Sequence, residues 1–277
     1  MSPLALQRMS VRMLYDWDLT TSIYDAGVDP ILDVHVSATA REVLTRPARE
    51  LWRSDPYRQS RTVTALLRVF KSACAWALLR TPQPVLTDFF ASPVFHSSIE
   101  DRTSTVRAFG RWLEETFVGH AEVAALARLE GRLDDVRRRR ASSSPVDATR
   151  WSMSPDACVA QVPNGTSDLL HATIQRLDKH PISATHAAVN GEWEGADLTL
   201  GAGAPETLLL QRDAEGGAQI SRVSEPMYDL LAALSVDAPL NALSAVGAKH
   251  DASLEDLDEL LRDLCEDGVV VCSNLAS

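Results

Sequence analysis

The C-terminal part of the chain carries an ordered series of strand and helix patterns, and this order constrains the fold more than any other feature of the sequence. An apolar run at residues 207–212 and an alternating segment at 219–223 flank residues 215–217, whose glycines tolerate positive φ. This pattern predicts a β-hairpin. Helix caps and apolar residues at three- and four-residue spacing then recur between Ser224 and Leu264, which predicts three short helices, and residues 269–271 predict a closing strand.

The third of these helices has the clearest pattern. Ser253 can cap its first turn, Glu255 and Asp256 place negative charge at the positive end of the helix dipole, and Gly268 ends it. Its apolar stripe consists of Leu254, Leu257, Leu261 and Leu264. A hairpin, three helices and a strand in this order are the layout of a small winged-helix-like domain, which usually binds nucleic acid or peptide and carries no chemistry of its own.

The first half of the chain is predicted to be a bundle of α-helices. Apolar residues recur at helical spacing in four segments, residues 42–52, 59–79, 103–117 and 121–140. Because the segment 59–79 has a long apolar face, we expect that helix at the centre of the bundle. Six aromatic side chains of this half either form its core or partly contact another protein: Trp52, Phe89, Phe90, Phe95, Phe109 and Trp112.

A flexible, helix-breaking segment at residues 141–145 follows a run of arginines at 137–140 and marks a domain boundary. Arginines are favourable at the C-terminal end of a helix without any ligand, and we prefer this interpretation to a nucleic-acid contact. The intervening sequence has one predicted helix, at 167–177, among glycine-rich segments. The patterns together predict an α+β protein with an all-α helical bundle at 1–144, a connecting region at 145–204 and a winged-helix-like domain at 205–277.

Composition restricts the classes of partner. The formal net charge of −11 and the pI near 5.1 argue against a general phosphate-binding surface, because non-specific nucleic-acid affinity depends on clustered Lys and Arg. No apolar stretch approaches the roughly 20 residues that span a bilayer, and the N-terminus lacks a signal-peptide pattern, so no membrane contact is expected. Four well-separated cysteines are expected to be reduced thiols of a cytoplasmic protein: Cys74, Cys158, Cys265 and Cys272.

The sequence has no recognisable catalytic or metal-binding motif. The seven histidines make no H-x-H or H-E-x-x-H spacing, so we expect neither catalytic residues nor metal ligands in this chain. Asp16, Asp18 and Asp25 lie beside Trp17 and Tyr24 and could hold a cation, although carboxylates near aromatic residues commonly occur without one.

Several segments of the helical half resemble one known family. Residues 55–61, 89–96, 108–113 and 124–130 are similar to the partner proteins of multinuclear non-haem iron-dependent oxidative enzymes. That family includes the partners in the methanobactin and 3-thiaglutamate peptide-modification pathways, and the 3-thiaglutamate type is the nearer of the two. The winged-helix-like tail resembles the precursor-recognition elements of ribosomal peptide (RiPP) maturation.

The resemblance implies a division of labour between two proteins. A separate oxidase holds the iron and carries out the oxidation, which is expected to take place on a cysteine of a precursor peptide. This chain carries no cofactor, forms a heterodimer with the oxidase and holds the leader segment of the precursor. The leader is expected to add as a strand to the last strand of the hairpin and to lie against the third helix. The residues that this implies for peptide binding are Gln219, Ile220, Ser221, Arg222, Val223, Leu254, Leu257, Asp258, Leu261 and Arg262.

Two other classes of function are compatible with the sequence. A winged-helix domain can also bind DNA as a transcriptional regulator. The third helix argues against that function, because residues 253–263 contain five carboxylates and one arginine, which would repel phosphate. An enzyme whose active site is assembled from distant His and Asp residues is the third class, and such a site leaves no motif in the sequence.

Overall fold

The computed structural model describes residues 2–81, 85–138, 150–178, 199–235 and 238–272. The protein is α+β, as the sequence patterns predict, with mostly helices and three small antiparallel sheets among these residues. The chain divides into two compact units, one formed by Met1–Gly131 and Leu170–Leu198 and the other by Arg132–Leu169 and Thr199–Ser277. Both units therefore take residues from the predicted connecting region 145–204.

The N-terminal part of the chain is predominantly helical. Local capping explains several helix starts: the side chain of Ser2 accepts a hydrogen bond from the N–H of Ala5, and Ser92 accepts one from the N–H of Phe95. The elements are α1 (Pro3–Tyr15), α2 (Trp17–Asp25), β1 (Val28–Asp29), β2 (Val34–His35), α3 (Ala38–Thr45), α4 (Arg58–Val69), α5 (Lys71–Arg80), α6 (Pro93–Glu100), α7 (Thr105–Thr116) and α8 (Ala121–Arg138), with short 3₁₀ helices at Arg49–Arg53 and Val85–Ala91.

The long helix predicted at residues 59–79 is two helices. The chain bends by 112° at Phe70, between α4 and α5, so the prediction of one continuous helix was wrong. The break leaves backbone N–H groups at the start of α5 without partners in their own helix. The buried carboxylate of Glu130 on α8 accepts hydrogen bonds from the N–H groups of Ser72 (2.8 Å) and Ala73 (3.0 Å). Glu130 therefore caps α5 from a position far away in the sequence.

Aromatic rings form much of the core of the helical unit. The ring of Phe89 lies 5.0 Å from that of Phe109 and 5.2 Å from that of Phe95, in edge-to-face geometry. Five of the six aromatic residues that could have faced another protein are buried: Phe89, Phe90, Phe95, Phe109 and Trp112. The sixth, Trp52, is half-buried against a separate cluster around Met9 and Met13. For these five residues, the core interpretation is confirmed.

The C-terminal unit contains the predicted hairpin, helices and closing strand. The hairpin strands β5 and β6 pair from Leu208 with Arg222 to Arg212 with Ala218, and the turn includes Gly216 at φ +83°, a conformation that favours glycine. Along residues 150–272 the elements are β3 (Trp151–Met153), β4 (Ala157–Val162), α9 (Thr166–Asp178), β5 (Glu206–Arg212), β6 (Ala218–Arg222), α10 (Glu225–Ala233), α11 (Ser244–Lys249), α12 (Leu254–Glu266) and β7 (Val270–Cys272), with a 3₁₀ helix at Leu240–Leu243. The part of α9 from Leu170 onward belongs to the helical unit.

Two strands of this unit were not predicted from the sequence. β4 pairs with β5, so the hairpin belongs to a three-stranded antiparallel sheet in the order β4-β5-β6. β3 pairs with the closing strand β7 in a separate two-stranded sheet. The partners of both strands lie at least 40 residues away in the sequence, so local patterns do not indicate the pairing.

A second hydrophobic core fixes the three C-terminal helices. α11 and α12 approach closely at Gly247, where an added Cβ would lie 2.7 Å from Cδ1 of Leu257. The half-buried side chains of Val159 and Leu209 pack against this core from the three-stranded sheet. The buried members of the core are Trp151, Leu230, Leu231, Leu234, Leu243, Leu257, Leu261, Leu264, Val269 and Val270.

Within the described ranges, no single helix is long and apolar enough to cross a bilayer. One bent pair, Arg49–Val69 with Lys71–Arg80, meets the length and composition criteria only when its two parts are taken together. Five consecutive residues of α5, Ala73 to Ala77, are buried in the helical core.

Candidate functional site

The three-stranded sheet has two edges, and they differ in exposure. β4, at one edge, is largely buried: the relative exposure of Ala157, Cys158, Ala160 and Val162 is 0–6%. β6, at the other edge, exposes Gln219, Ser221 and Arg222 to solvent. No strand pairs with the outer side of β6 in the part of the chain that the structure describes. β6 therefore offers an accessible row of backbone hydrogen-bonding groups.

The register of the hairpin decides which residues of β6 face that open edge. The N–H of Val223 donates to the carbonyl oxygen of Thr207 (3.0 Å), and the N–H of Asp213 donates to that of Gly217 (3.3 Å). In an antiparallel ladder, directly opposed residues exchange hydrogen bonds at every second position. Counting every second pair between these two bonds gives Ser221 opposite Leu209 and Gln219 opposite Gln211 as hydrogen-bonded pairs. The backbone groups of Gln219 and Ser221 therefore point towards β5.

The backbone N–H and C=O groups of Ile220 and Arg222 consequently point away from β5. These two residues, with Ala218 at the start of the strand, supply the groups that an added strand would pair with. Ser221 instead pairs with Leu209 inside the sheet. Ser221 is one of the predicted peptide-binding residues, and the ladder restricts its contribution at this edge to its exposed side chain.

The side chains of β6 alternate between the two faces of the sheet. Gln219 and Ser221 lie opposite Gln211 and Leu209, and Leu209 packs against the helical core, so both exposed side chains are on the helix side. The side chain of Ile220 is half-buried and lies on the opposite face, where the positions of Ala218 and Arg222 also lie. A peptide strand at this edge would therefore place alternate side chains beside the helices.

An ion-pair cluster holds the side chain of Arg222 on that opposite face. Its Nε donates to Oε2 of the buried Glu206 (3.1 Å), and its Nη2 donates to Oδ2 of Asp168 (2.6 Å) and to the hydroxyl of Ser167 (3.0 Å). The hydrogen bonds and charges of Asp168, and then of Glu206, raise the pKa of Arg222 above its usual value. The cluster fixes the direction of this side chain at the end of β6.

The structure places two of the predicted helix-side contacts in the core. The exposed fraction of Leu257 is 4% and that of Leu261 is 0%, and both pack in the helical core of the unit. Their assignment as peptide contacts was wrong, because their apolar side chains stabilise the domain and are not accessible to a ligand. The same stripe pattern that predicts α12 explains their burial.

The remaining predicted contacts on α12 are accessible. Leu254 is 47% exposed, and Arg262 forms an ion pair with the half-buried Asp258 one turn before it. α12 packs against α11, the 3₁₀ helix and β7, whereas α10 packs against β4 and β5. α12 reaches the hairpin near its C-terminal end, where the side-chain amide of Gln211 donates to the carbonyl oxygen of Asp267 (2.8 Å).

A buried polar network in the helical unit also brings titratable side chains together. Nε of Arg12 donates to Nδ1 of His96 (2.7 Å), and Nη2 of Arg12 lies 2.6 Å from Oδ2 of Asp29. Because arginine cannot accept a hydrogen bond, Nδ1 of His96 must be unprotonated, and Nε2–H donates to Oδ2 of Asp16 (3.1 Å). Arg12, Asp29 and His96 are at most 1% exposed, so this network joins α1 to β1 and α6 inside the unit and is not accessible to a substrate.

Asp16 is held in its charged form by this network. Burial raises its pKa, but the hydrogen bond from His96 and those from the backbone N–H groups of Leu19 and Asp18 outweigh burial, and the pKa lies below its usual value. Asp16 caps α2 through these backbone bonds, while Asp25 pairs with Arg49. The predicted alternative of a cation shared by Asp16, Asp18 and Asp25 is therefore not supported by their contacts.

The described residues contain no group of three or more His, Cys, Asp or Glu side chains that could hold a metal ion. The four cysteines are free thiols. Burial, and then the negative charge of Glu130, raise the pKa of Cys74 well above its usual value. His180 and His186 lie outside the described residues.

Comparison with protein-family models finds no match to this chain, and comparison with curated proteins finds none either.

Proposed function

We propose that the chain is a non-catalytic partner subunit that binds the leader segment of a precursor peptide at β6 and presents the precursor to a multinuclear non-haem iron oxidase. In this proposal, residues 205–277 act as a winged-helix-like peptide-recognition domain that follows a helical bundle. The modification takes place on the oxidase, in ribosomal peptide natural-product biosynthesis in the cytoplasm. The iron belongs to the oxidase.

The observation that carries the proposal is the accessible outer edge of β6. Strand addition supplies affinity through backbone hydrogen bonds and selectivity through alternate side chains, and it requires an exposed, unpaired edge of several residues. β6 meets this requirement, whereas the edge strand β4 is largely buried. Leader binding is therefore assigned to Ile220 and Arg222 through their backbone, and to Gln219 and Ser221 through their side chains.

The oxidase contact is proposed for the helical unit, on the basis of the segments that resemble the partner-protein family. Because the aromatic side chains of those segments are buried, the contact has to use other residues. Several large apolar side chains of this unit are exposed: Val43 at 53%, Leu51 at 59%, Tyr57 at 69% and Val118 at 83%. We propose that the contact with the oxidase uses some of these exposed side chains.

Peptide binding is tested with the precursor encoded beside this gene. We expect a gene for a short cysteine-bearing peptide next to a gene for an iron oxidase. The N-terminal segment of that peptide, labelled with fluorescein, is the probe for anisotropy measurements. Ile220→Pro removes an outward N–H of β6, and we expect it to weaken binding roughly 3- to 10-fold, the range for a single lost hydrogen bond. Ile220→Val keeps that N–H and serves as the matched control. Equal affinities of the two folded variants would contradict docking at this edge.

Oxidase binding is tested separately by co-expression and size-exclusion chromatography. A one-to-one complex is expected at micromolar concentration, with iron found only when the oxidase is present. Ile220→Pro should leave this complex intact, because the oxidase is proposed to contact the helical unit. Separate elution of the two proteins would contradict the partner role, and stoichiometric iron in the isolated chain would contradict the non-catalytic role.

A DNA-binding regulator is the alternative that the same measurement addresses. Duplex DNA from the promoter beside the gene is titrated in place of the peptide at the same salt concentration. Tighter binding of the duplex than of any leader would favour the regulator. The exposed carboxylates of α12 predict the opposite result, since they repel phosphate.

A further inference from the structure

The net charge of the chain is concentrated in its C-terminal part. Residues 205–277 contain 14 Asp or Glu and 4 Lys or Arg, which gives −10 of the chain's formal net charge of −11. Residues 1–204 contain 24 acidic and 23 basic residues and are nearly neutral. The acidic character therefore belongs to the domain that carries β6, and the helical half does not share it.

The few cations of this domain are already paired with carboxylates of the chain. Arg212 lies 3.7 Å from Asp156, Arg222 pairs with Asp168 and Glu206, Lys249 pairs with Asp229 across 2.5 Å, and Arg262 pairs with Asp258. No Lys or Arg of residues 205–277 is therefore free to neutralise the other carboxylates of the domain.

The outer face of α12 carries the largest group of these remaining carboxylates. Glu255, Glu259, Asp263 and Glu266 follow one another at three- and four-residue spacing, which puts them on one side of the helix. All four are exposed, and none forms an ion pair with another residue of the described ranges. Like charges at this spacing repel one another, and a cationic partner would relieve this repulsion.

Negative charge also lies beside the open edge itself. The side chain of Asp168 is 76% exposed next to Arg222 of β6, and the exposed Glu225 begins α10 shortly after the strand ends. Glu215 is exposed in the turn at the other end of β6. A segment that docks along the strand thus meets carboxylates at both of its ends.

We propose that the segment bound at the β6 edge is an extended peptide of net positive charge, with Lys or Arg residues on both sides of a short pairing region. This inference rests on the proposed function, because it takes the edge of β6 as the docking surface. Backbone pairing is the same for every peptide sequence and does not distinguish one leader from another. The electrostatic field of the acidic domain therefore selects among candidate leaders, and it accelerates the association of a cationic one. Acidic leaders are repelled by the same field.

Three fluorescein-labelled peptides of equal length and identical apolar positions test the inference on the full chain. They carry four Lys, four Gln or four Glu at the same positions. We expect the Lys peptide to bind roughly tenfold or more tightly than the Gln peptide at about 50 mM salt, because each exposed ion pair adds about 1.5- to 5-fold. Raising the salt concentration to about 500 mM should remove most of this difference.

The double variant Glu215→Gln, Glu225→Gln tests the source of the preference, because it removes an exposed carboxylate at each end of β6. It should weaken the Lys peptide about 2- to 10-fold and leave the Gln peptide unchanged. The matched control, Glu42→Gln with Glu50→Gln, removes two exposed carboxylates of the helical unit and should have no effect.

The outcomes separate this inference from the proposed function. If the Glu or Gln peptide binds as tightly as the Lys peptide and Ile220→Pro weakens it, the charge inference is overturned while docking at β6 is retained. If the Lys peptide binds but Ile220→Pro has no effect, cations bind elsewhere, and both the docking surface and the inference fail. Absence of binding by all three peptides counts against both as well.

Discussion

The backbone N–H of Val223 donates to the carbonyl oxygen of Thr207, and this bond fixes the alternation of the whole hairpin ladder. Successive residues of the strand alternate, so that the N–H of one points towards the paired strand and the N–H of the next points away from it. Ile220 and Ser221 are neighbours in β6, yet the backbone of Ile220 faces solvent and that of Ser221 completes the sheet. The structural and functional effects of substitutions in β6 should therefore separate residue by residue.

Proline substitutions provide the first test of this alternation. Ser221→Pro removes a hydrogen bond within the sheet, and we expect it to lower the free energy of unfolding by about 1–3 kcal/mol. Ile220→Pro removes an N–H that faces solvent and should cost less than Ser221→Pro, as prolines are tolerated on edge strands. Urea unfolding followed by circular dichroism measures both. A larger loss for Ile220→Pro would show that the assigned alternation is reversed.

Leu261 and Leu254 offer a second comparison, within α12. Leu261→Ala should lower the free energy of unfolding of the C-terminal unit by about 2–5 kcal/mol, because the side chain is fully buried. Leu254→Ala should cost less than about 1 kcal/mol, since 47% of that residue is exposed. Similar losses for the two variants, measured by urea unfolding, would contradict the orientation of the helix.

The third prediction concerns the cap that Glu130 provides for α5. Glu130→Ala leaves the buried N–H groups of Ser72 and Ala73 without an acceptor, and we expect a loss of about 2–5 kcal/mol in the free energy of unfolding. Glu130→Gln keeps one acceptor oxygen and should recover part of that loss. Thermal unfolding of both variants and of the native chain measures the order of their stabilities. An unchanged stability of Glu130→Ala would mean that another group caps α5.

The thiols should react in the order of their exposure. Cys265 and Cys272 are half-exposed, whereas Cys74 and Cys158 are buried. Burial and the charge of Glu130 raise the pKa of Cys74, so little thiolate forms in the folded protein. At about pH 8, a thiol reagent should label Cys265 and Cys272 first and reach Cys74 only after unfolding. Mass spectrometry of the labelled peptides identifies the sites, and early labelling of Cys74 would contradict its burial.

Asp16 predicts part of the acid sensitivity of the helical unit. Its pKa in the folded chain lies below the ordinary value of 3.8, so its charged form stabilises the fold at every pH above that value. The stabilisation is lost as the pH falls through the lowered pKa. Asp16→Asn should therefore be less stable than the native chain at neutral pH, and the difference should shrink below about pH 4. A pH-independent difference in urea midpoint would exclude this linkage.

Local patterns in the sequence were sufficient for the elements of the C-terminal domain. The caps at Ser224 and Ser253, the leucine stripe of α12 and the glycines of the turn act over a few residues, so the hairpin, the helices and the closing strand could be predicted. The helical spacing of the leucines in this stripe also predicts that Leu257 and Leu261 are core residues. Their assignment to a binding surface did not follow from the periodicity.

Tertiary structure alone decided three further features. The N–H groups that the break between α4 and α5 leaves at the start of α5 are capped by Glu130, which is 58 residues from Ser72 in the sequence. The pairing of β4 with β5 joins segments separated by a helix, and the register of β6 decides that Ile220 rather than Ser221 faces the open edge. In each case the deciding contact joins residues that are distant along the chain or depends on a one-residue register, and local propensity carries no information about either.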